Sequence, residues 1–327
     1  MKNIHGGDIY QYNNILDFSA NINPLGAPES VNRSIADAIG KIGHYPEMYS
    51  DSLRKAIGEK YHIDSSQIIC GNGAADVIYR YVYAVRPKKI LVTAPCFAEY
   101  EGGADRMKAI TERQAVLFDL DGTLTDPAEG ITRSVQEALR QMGRPVPEQD
   151  KLLSFIGPPL LDSFQEYCGM EREEAEKAIH LYRGYFSRQG IWENRVYPGI
   201  PELLRFLTEQ GRQVILATSK PAVFASQILE RFKLAPYVSL TAGSELDGTR
   251  SRKDEVIAWA MERAGLSPEE AVMVGDREYD VRGAAACGLP CIGVLYGYGS
   301  RAELERAGAA LVVPTVEALT ALWKEWR

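Results

Sequence analysis

Short apolar runs alternate with amphipathic stretches over the later two thirds of the chain. AVLFD (115–119) is such a run, and QVILATS (213–219), AVMVGD (271–276) and PCIGVLY (290–296) repeat its form. Runs of this kind suit strands buried on both faces of a parallel sheet. Helical patterns separate them: GIPELLRFLTEQG (199–211) sets Leu203, Leu204 and Leu207 on one face and closes on a glycine. Strands alternating with helices predict an α/β fold with a doubly wound, Rossmann-like parallel sheet. Between the first two strands lies a long insert, about residues 130–196. It repeats apolar residues at helical spacing, first Ile131, Val135, Ala138 and Leu139, then Ala175, Ile179, Tyr182 and Phe186. It predicts a small helical cap over the strand ends.

The first hundred residues have a different rhythm. SVNRSIADAIGKIG (30–43) places Val31, Ile35, Ala38 and Ile39 at helical spacing. Asp51 can cap a second helix with Leu53, Ile57 and Tyr61 on one face. IIC (68–70) predicts a short strand, GNGAAD (71–76) a tight turn into a helix, and KILVTAP (89–95) a buried strand. The polar stretch EGGADRMKAITERQ (101–114) predicts a junction. The expected division is therefore 1–100, a junction at 101–114, a core made of 115–129 and 197–327, and the cap at 130–196.

A chain of 327 residues exceeds the usual size of one compact domain, which agrees with that division. The net charge of −7 argues against a nucleic-acid polymer or an anionic membrane as partner. A small anionic substrate remains compatible, since a bound divalent cation inverts the local field. Cys70, Cys96, Cys168, Cys287 and Cys291 lack zinc-site spacing and predict buried free thiols in a reducing compartment. The polar start MKNIHGGDIYQYNN has no apolar core of a signal peptide, and no run reaches the length of a membrane span. A cytoplasmic location is the expectation.

The apolar strands end in reactive residue types: Asp119 and Asp121, Thr218 and Ser219, and Asp276. Lys253 opens the helical segment KDEVIAWAMERAG. In open α/β sheets ligands bind outside the carboxyl ends of strands, so these loops converge on one crevice. A carboxylate such as Asp119 can take a phosphoryl group and pass it to water. Asp121, two residues on, faces the same way in extended geometry and can serve as general acid and then base. Gly122 and Thr123 supply a turn over the phosphate. Asp119, Asp276 and the backbone carbonyl of Asp121 suit Mg²⁺, with Asp280 one helical turn after Asp276 orienting a metal-bound water or holding Lys253. Thr218 and Lys253 would bind phosphate oxygens.

FDLDGTLTD (118–126), ATSKP (217–221), SRKDEVI (251–257) and VGDREYD (274–280) resemble, in order and spacing, the four motifs of the haloacid dehalogenase-like phosphatases. The resemblance spans about residues 115–327 and lies nearest the subgroup of phosphoglycolate phosphatases and 5′-nucleotidase-like members. FIGPPL (155–160), VYPGI (196–200), GSELDGTRS (243–251) and VLYGYGS (294–300) carry the finer likeness. It implies a Mg²⁺-dependent phosphomonoester hydrolase acting on a small phosphorylated metabolite, with Asp119, Asp121, Thr218 and Lys253 catalytic. Gly122, Thr123, Thr218, Ser219 and Lys253 would bind phosphate, and Asp119, Asp121, Asp276 and Asp280 would form the metal site. FIGPPL is either substrate-facing or a rigid cap corner. Arg250 and Arg252 either reach an anionic substrate group or are solvated, and Tyr296 and Tyr298 either stack on a base or pack. A phosphomutase or phosphotransferase on the same scaffold is the alternative.

HGGD (5–8), LDFSANINPLG (16–26), YP (45–46), GNGAADVIYR (71–80) and APCFAEY (94–100) resemble the start of fold-type I pyridoxal-phosphate enzymes, such as threonine-phosphate decarboxylase and histidinol-phosphate aminotransferase. In that family the GNGAAD turn, here with Gly73 and Ala74, receives the cofactor phosphate, and the aromatic at Phe97 stacks on the pyridine ring. The resemblance ends near Tyr100, before the Schiff-base lysine, so a vestigial site and no functional pyridoxal phosphate are expected. Such a fragment leaves apolar surface uncovered, to be loosely packed, docked on the phosphatase, or paired with another chain in a homodimer. A retained pathway link would make phosphorylated amines the substrates. A non-catalytic pyridoxal-binding module is the remaining alternative.

Overall fold

The computed structural model describes residues 23, 25–41, 43, 47, 49–85, 91 and 110–325. The chain divides into two units, Met1–Met107 and Lys108–Arg327. In the first, α1 is Glu29–Ala38, α2 is Asp51–Tyr61 and α3 is Gly73–Val85. Ser50, not Asp51, occupies the N-cap of α2, and the Glu47 carboxylate accepts from the Ser52 amide at 2.8 Å. The periodic residues Val31, Ile35 and Ile39 are exposed, and α1 buries no side chain. IIC (68–70) forms no strand among the described residues: Ile68 is extended, but Ile69 lies exposed. The KILVTAP strand lies outside the described residues except for Leu91, as does most of the 101–114 junction.

The second unit is built on β1, Ala115–Phe118, whose four side chains are all buried. After β2 (Thr125–Asp126) come four helices, α4 (Ala128–Gln141), α5 (Gln149–Leu153), α6 (Leu160–Cys168) and α7 (Arg172–Phe186). The chain returns through β3 (Arg195–Val196) to α8 (Ile200–Glu209), β4 (Gln213–Pro221), α9 (Ala222–Arg231) and β5 (Leu240–Ser244). It continues through α10 (Lys253–Ala264), β6 (Ala271–Gly275), α11 (Glu278–Ala286) and β7 (Cys291–Val294). It closes on α12 (Arg301–Ala307), β8 (Leu311–Val313) and α13 (Val316–Glu325).

Six strands form one parallel sheet in the order β5-β4-β1-β6-β7-β8. Val116 sits between Val214 and Val272, so the centre of the sheet is apolar on both faces. Ala115, Leu117, Ile215 and Met273 face a core shared with Val256, Ile257 and Ala260 of α10. After β1 the chain adds β4 and β5 on one side, then crosses back to add β6, β7 and β8 on the other. That reversal beside β1 opens a crevice at the strand ends. The edge strand β5 (LTAGS) carries no long apolar run and is not announced by the hydrophobic pattern, whereas β8 lies in the apolar run AALVV (309–313), which the sequence reading did not single out.

In the helical segment, α4 packs against α7. Ile131, Val135, Ala138 and Leu139 are buried on one side and Ala175, Ala178, Tyr182 and Phe186 on the other, with Ile179 only half-buried. Antiparallel β2 and β3 form the neck, where Arg195 donates to Asp126 Oδ2 at 2.6 Å. Of the described cysteines only Cys291 is buried; Cys70, Cys168 and Cys287 are free thiols at half-buried positions, against the expectation of uniform burial. Cys96 lies outside the described residues. Among the described residues, no helix is long and apolar enough to cross a membrane.

Candidate active site

The Asp119 amide continues the β1–β6 ladder by donating to the Val274 carbonyl at 3.0 Å. The chain then turns sharply: the Gly122 amide reaches the Thr125 carbonyl at 2.7 Å and the Leu124 amide the Leu120 carbonyl at 2.9 Å. Gly122 has φ +90°, and a Cβ there would collide with the Asp276 carboxylate. Gly297 is equally confined, packed against the Gly122 carbonyl and the Asp276 side chain. Glycine is needed where backbones approach this closely.

Asp119, Asp121, Thr123, Thr218, Lys253, Asp276 and Asp280 are all buried polar residues. Lys253 Nζ donates to Asp119 Oδ1 at 2.7 Å and to the Ala217 carbonyl at 3.2 Å, and it forms an ion pair with Asp280 Oδ1 at 2.8 Å. Asp276 accepts from the Thr123 hydroxyl at 3.2 Å and from the Tyr298 amide at 2.8 Å. Asp280 Oδ2 accepts from the Arg277 amide at 3.1 Å. Asp121 Oδ2 is paired with Lys220, and its Oδ1 is buried with no partner.

This crowding shapes the titration. Burial pushes the Asp280 carboxyl up to about 6, Lys253 opposing and Asp119 adding to the rise. Burial, with the charges of Asp280 and Asp119, holds Asp276 well above the carboxylate range. Asp121 is raised by burial against the pull of Lys220. Burial works against the Lys253 charge, but Asp119 and Asp280 overcome it and hold the ammonium above its ordinary value.

Asp119, Asp276 and Asp280 can each offer an oxygen within 4.8 Å of the others. Three carboxylates facing one ammonium leave a local excess of negative charge. The donor set has neither His nor Cys and suits a hard divalent cation such as Mg²⁺. The Asp121 carboxylate stands outside this trio, turned to Lys220, so its side chain does not join the metal site expected of Asp119, Asp121, Asp276 and Asp280.

Asp119 and Asp121 form the floor of a cleft, with Thr218, Ser219 and Lys220 along one side. Phe155 and the Gly157–Leu160 turn of FIGPPL line it, as do Tyr182, Arg183, Phe186 and Phe224. Thr218 Oγ1 accepts from the Lys220 amide at 3.3 Å, and the Ser219 carbonyl accepts from Ser244 at 2.8 Å. Arg250 and Arg252 are not among the cleft-lining residues. Arg250 pairs with Glu245 over the Trp259 ring, and Arg252 pairs with Asp254 at 3.1 Å. Tyr296 and Tyr298 pack behind the turn, their hydroxyls on the Thr123 carbonyl and on Asp126. In the other unit, Gly73 (φ +85°) and Ala74 open α3, and the Asp76 carboxylate accepts from the Asn72 amide at 2.9 Å. Phe97 lies outside the described residues.

Sequence reasoning gave no role to Lys220, although it sits inside the quoted ATSKP. Nor did it connect Phe224 with the aromatic helix face, because the two meet only in space. Arg277 was also missed; it reaches the Ile156 carbonyl at 2.6 Å and Glu303 at 2.9 Å, tying FIGPPL to the loop after β6.

The sequence profile of the haloacid dehalogenase-like hydrolases matches residues 116–294. A protein named 5′-nucleotidase from Pseudomonas aeruginosa is 49% identical over 189 residues, which are 58% of this chain and 86% of the relative. A protein named tyrosine-protein kinase PtkA from Mycobacterium tuberculosis is 40% identical over 199 residues, 61% of this chain and 68% of the relative. Among solved structures, a predicted phosphatase from Clostridium acetobutylicum superposes with a TM-score of 0.62 at 50% identity, covering 64% of this chain and 96% of its own. With the profile matching more than half of its length, the chain belongs to the haloacid dehalogenase-like hydrolase family.

Proposed function

We propose that this chain is a Mg²⁺-dependent phosphomonoester hydrolase in which Asp119 is transiently phosphorylated. The observation that carries the reading is the buried Asp119 carboxylate, 2.7 Å from Lys253 and close to Asp276 and Asp280 at the floor of a cleft. An Asp119 oxygen attacks the phosphorus, the bond to the ester oxygen breaks, and Asp121 gives that oxygen a proton. Asp121 then takes a proton from a water that attacks the same phosphorus. The bond to Asp119 breaks, its carboxylate is restored and inorganic phosphate leaves. Lys253, Thr218 and Ser219 with the Gly122–Thr123 turn would hold the phosphate oxygens. Asp119, Asp276 and the Asp121 carbonyl would hold Mg²⁺, with Asp280 behind them; when bound, the cation offsets the charge of the transferring phosphoryl group.

In this reading residues 130–196 are a cap closing the cleft of a core made of 115–129 and 197–327. Phe155, Tyr182, Phe186 and Phe224 offer flat apolar surface to the leaving group, which favours a nucleoside 5′-monophosphate over phosphoglycolate. The relative named 5′-nucleotidase supports the same choice. Residues 1–100 are assigned as a truncated pyridoxal-enzyme-like fragment without pyridoxal chemistry. A pyridoxal-type absorption band in purified protein would overturn that assignment.

The test is phosphate release from a panel of phosphomonoesters with Mg²⁺, for the wild type and Asp119→Asn. Turnover that vanishes in the variant and is highest for nucleoside monophosphates is expected. Activity persisting in Asp119→Asn would end the proposal. A second reading, transfer to an acceptor hydroxyl in place of water, is favoured by the relative named tyrosine-protein kinase. Phosphorylated acceptor formed without free phosphate would establish it.

A further inference from the structure

Two ammonium groups serve the cleft floor, and the mechanism above uses only Lys253. The other, Lys220, ends β4 with its side chain 6% exposed and paired with Asp121 Oδ2. The pair leaves Asp121 Oδ1 as a buried oxygen with no partner. The carboxyl group is therefore held in one rotation, with one oxygen engaged and the other open. The same Nζ rests 4.8 Å from the centroid of the Phe186 ring, at the end of α7. Phe186 is fixed in turn, stacked on Tyr182 at 5.5 Å and meeting Phe224 edge-on at 5.4 Å.

These contacts join a core carboxylate to a helix of the insert through one side chain. An ammonium over an aromatic face is attracted to it, and more strongly where water is excluded. We propose that Lys220 is a positioning residue that holds Asp121 aimed at the leaving-group oxygen, and that it does so only while Phe186 of the cap is seated over it. This rests on the reading of Asp121 as the proton donor to the ester oxygen. Proton donation then depends on the cap being in place, which restricts cleavage to substrates the closed cap can accept.

The experiment compares kcat/KM for phenyl phosphate and p-nitrophenyl phosphate, two esters of similar shape. Phenolate is the poorer leaving group and needs a proton, whereas p-nitrophenolate departs without one. In Asp121→Asn, hydrolysis of phenyl phosphate should fall by about 100-fold or more, with a much smaller loss on the nitrophenyl ester. Lys220→Met should reproduce that selective loss, by about 10-fold or more on phenyl phosphate. Phe186→Leu, which removes the ring but keeps both charged residues and apolar volume, should show the same selectivity at about 3- to 10-fold. It also covers the case in which Lys220→Met fails to fold.

An equal loss on both esters in Lys220→Met, or a change confined to KM, would assign Lys220 to packing or substrate binding and overturn the proposal. Equal losses in Phe186→Leu would overturn the dependence on the cap. If Asp121→Asn itself does not discriminate between the esters, Asp121 is not the proton donor, and the role of Lys220 falls with it.

Discussion

Lys253 Nζ lies 2.7 Å from Asp119 Oδ1, in a pair whose side chains are only 4% and 5% exposed. Its ammonium is also shared with Asp280 at 2.8 Å. Lys253→Met would leave two buried carboxylates facing each other without a counter-charge. Removing one partner of such a pair costs about 3–5 kcal/mol. Urea unfolding in the absence of Mg²⁺ should show a loss of this size, and phosphate release should fall by about 100-fold or more. Unchanged stability would mean that the pair is not formed in solution.

Bound cation should relieve the crowding of Asp119, Asp276 and Asp280. At 100 times its dissociation constant a ligand specific for the folded state adds about 2.7 kcal/mol. For a unit of this size each kcal/mol raises Tm by roughly 2–4 °C. Thermal unfolding should therefore shift upward with Mg²⁺, return with EDTA, and shift little in Asp276→Asn. A variant that responds like the wild type would move the cation elsewhere.

Two glycines with positive φ separate strain from close approach. Gly122 has φ +90° and faces the Asp276 carboxylate, whereas Gly143 has φ +68° with nothing within 4 Å. Gly143→Ala should cost only the backbone penalty of the left-handed conformation, about 1–2 kcal/mol. Gly122→Ala must also displace Asp276, so it should lose activity and the Mg²⁺-induced rise in Tm together. Equal effects of the two substitutions on both readouts would refute this.

Asp126 sits in the neck with the Tyr298 hydroxyl on Oδ1 and Arg195 on Oδ2. Burial works against its charge, but the Tyr298 and Arg195 hydrogen bonds outweigh burial and hold its carboxyl below the ordinary value. A depressed folded value means that the group adds stability above the unfolded carboxylate range and loses it as pH falls through the folded value. The Tm difference between wild type and Asp126→Asn should be full near neutral pH and shrink below about pH 4. A gap that is constant through that window would show that the contribution is not ionic.

The residues at the cleft floor are legible because of where they stand along the chain. Asp119, Thr218 and Asp276 each end or follow a run of fully buried residues, and Lys253 opens a helix. A parallel sheet brings such positions to one edge whatever the details of its packing. The helices of the first unit were legible as periodicity, yet Val31, Ile35 and Ile39 lie exposed. Periodicity reports a face and says nothing of whether a partner covers it.

The hydrophobic pattern by itself determined the parallel sheet of the second unit, its central strands and the helical insert. Burial on both faces leaves a continuous apolar run, and a helix leaves its own period, so both are written locally. Only the tertiary structure decided that β5 and β8 take the two edges. It alone turned Asp121 to Lys220 rather than to the carboxylate trio, set Lys220 over Phe186, and sent Arg250 and Arg252 to surface partners. The Lys220 contacts join side chains distant in sequence, 34 residues for Phe186 and 99 for Asp121, whereas Arg250 and Arg252 take partners only 5 and 2 residues away. The geometry of the two Lys220 contacts depends on strand register and helix packing, which no local pattern encodes.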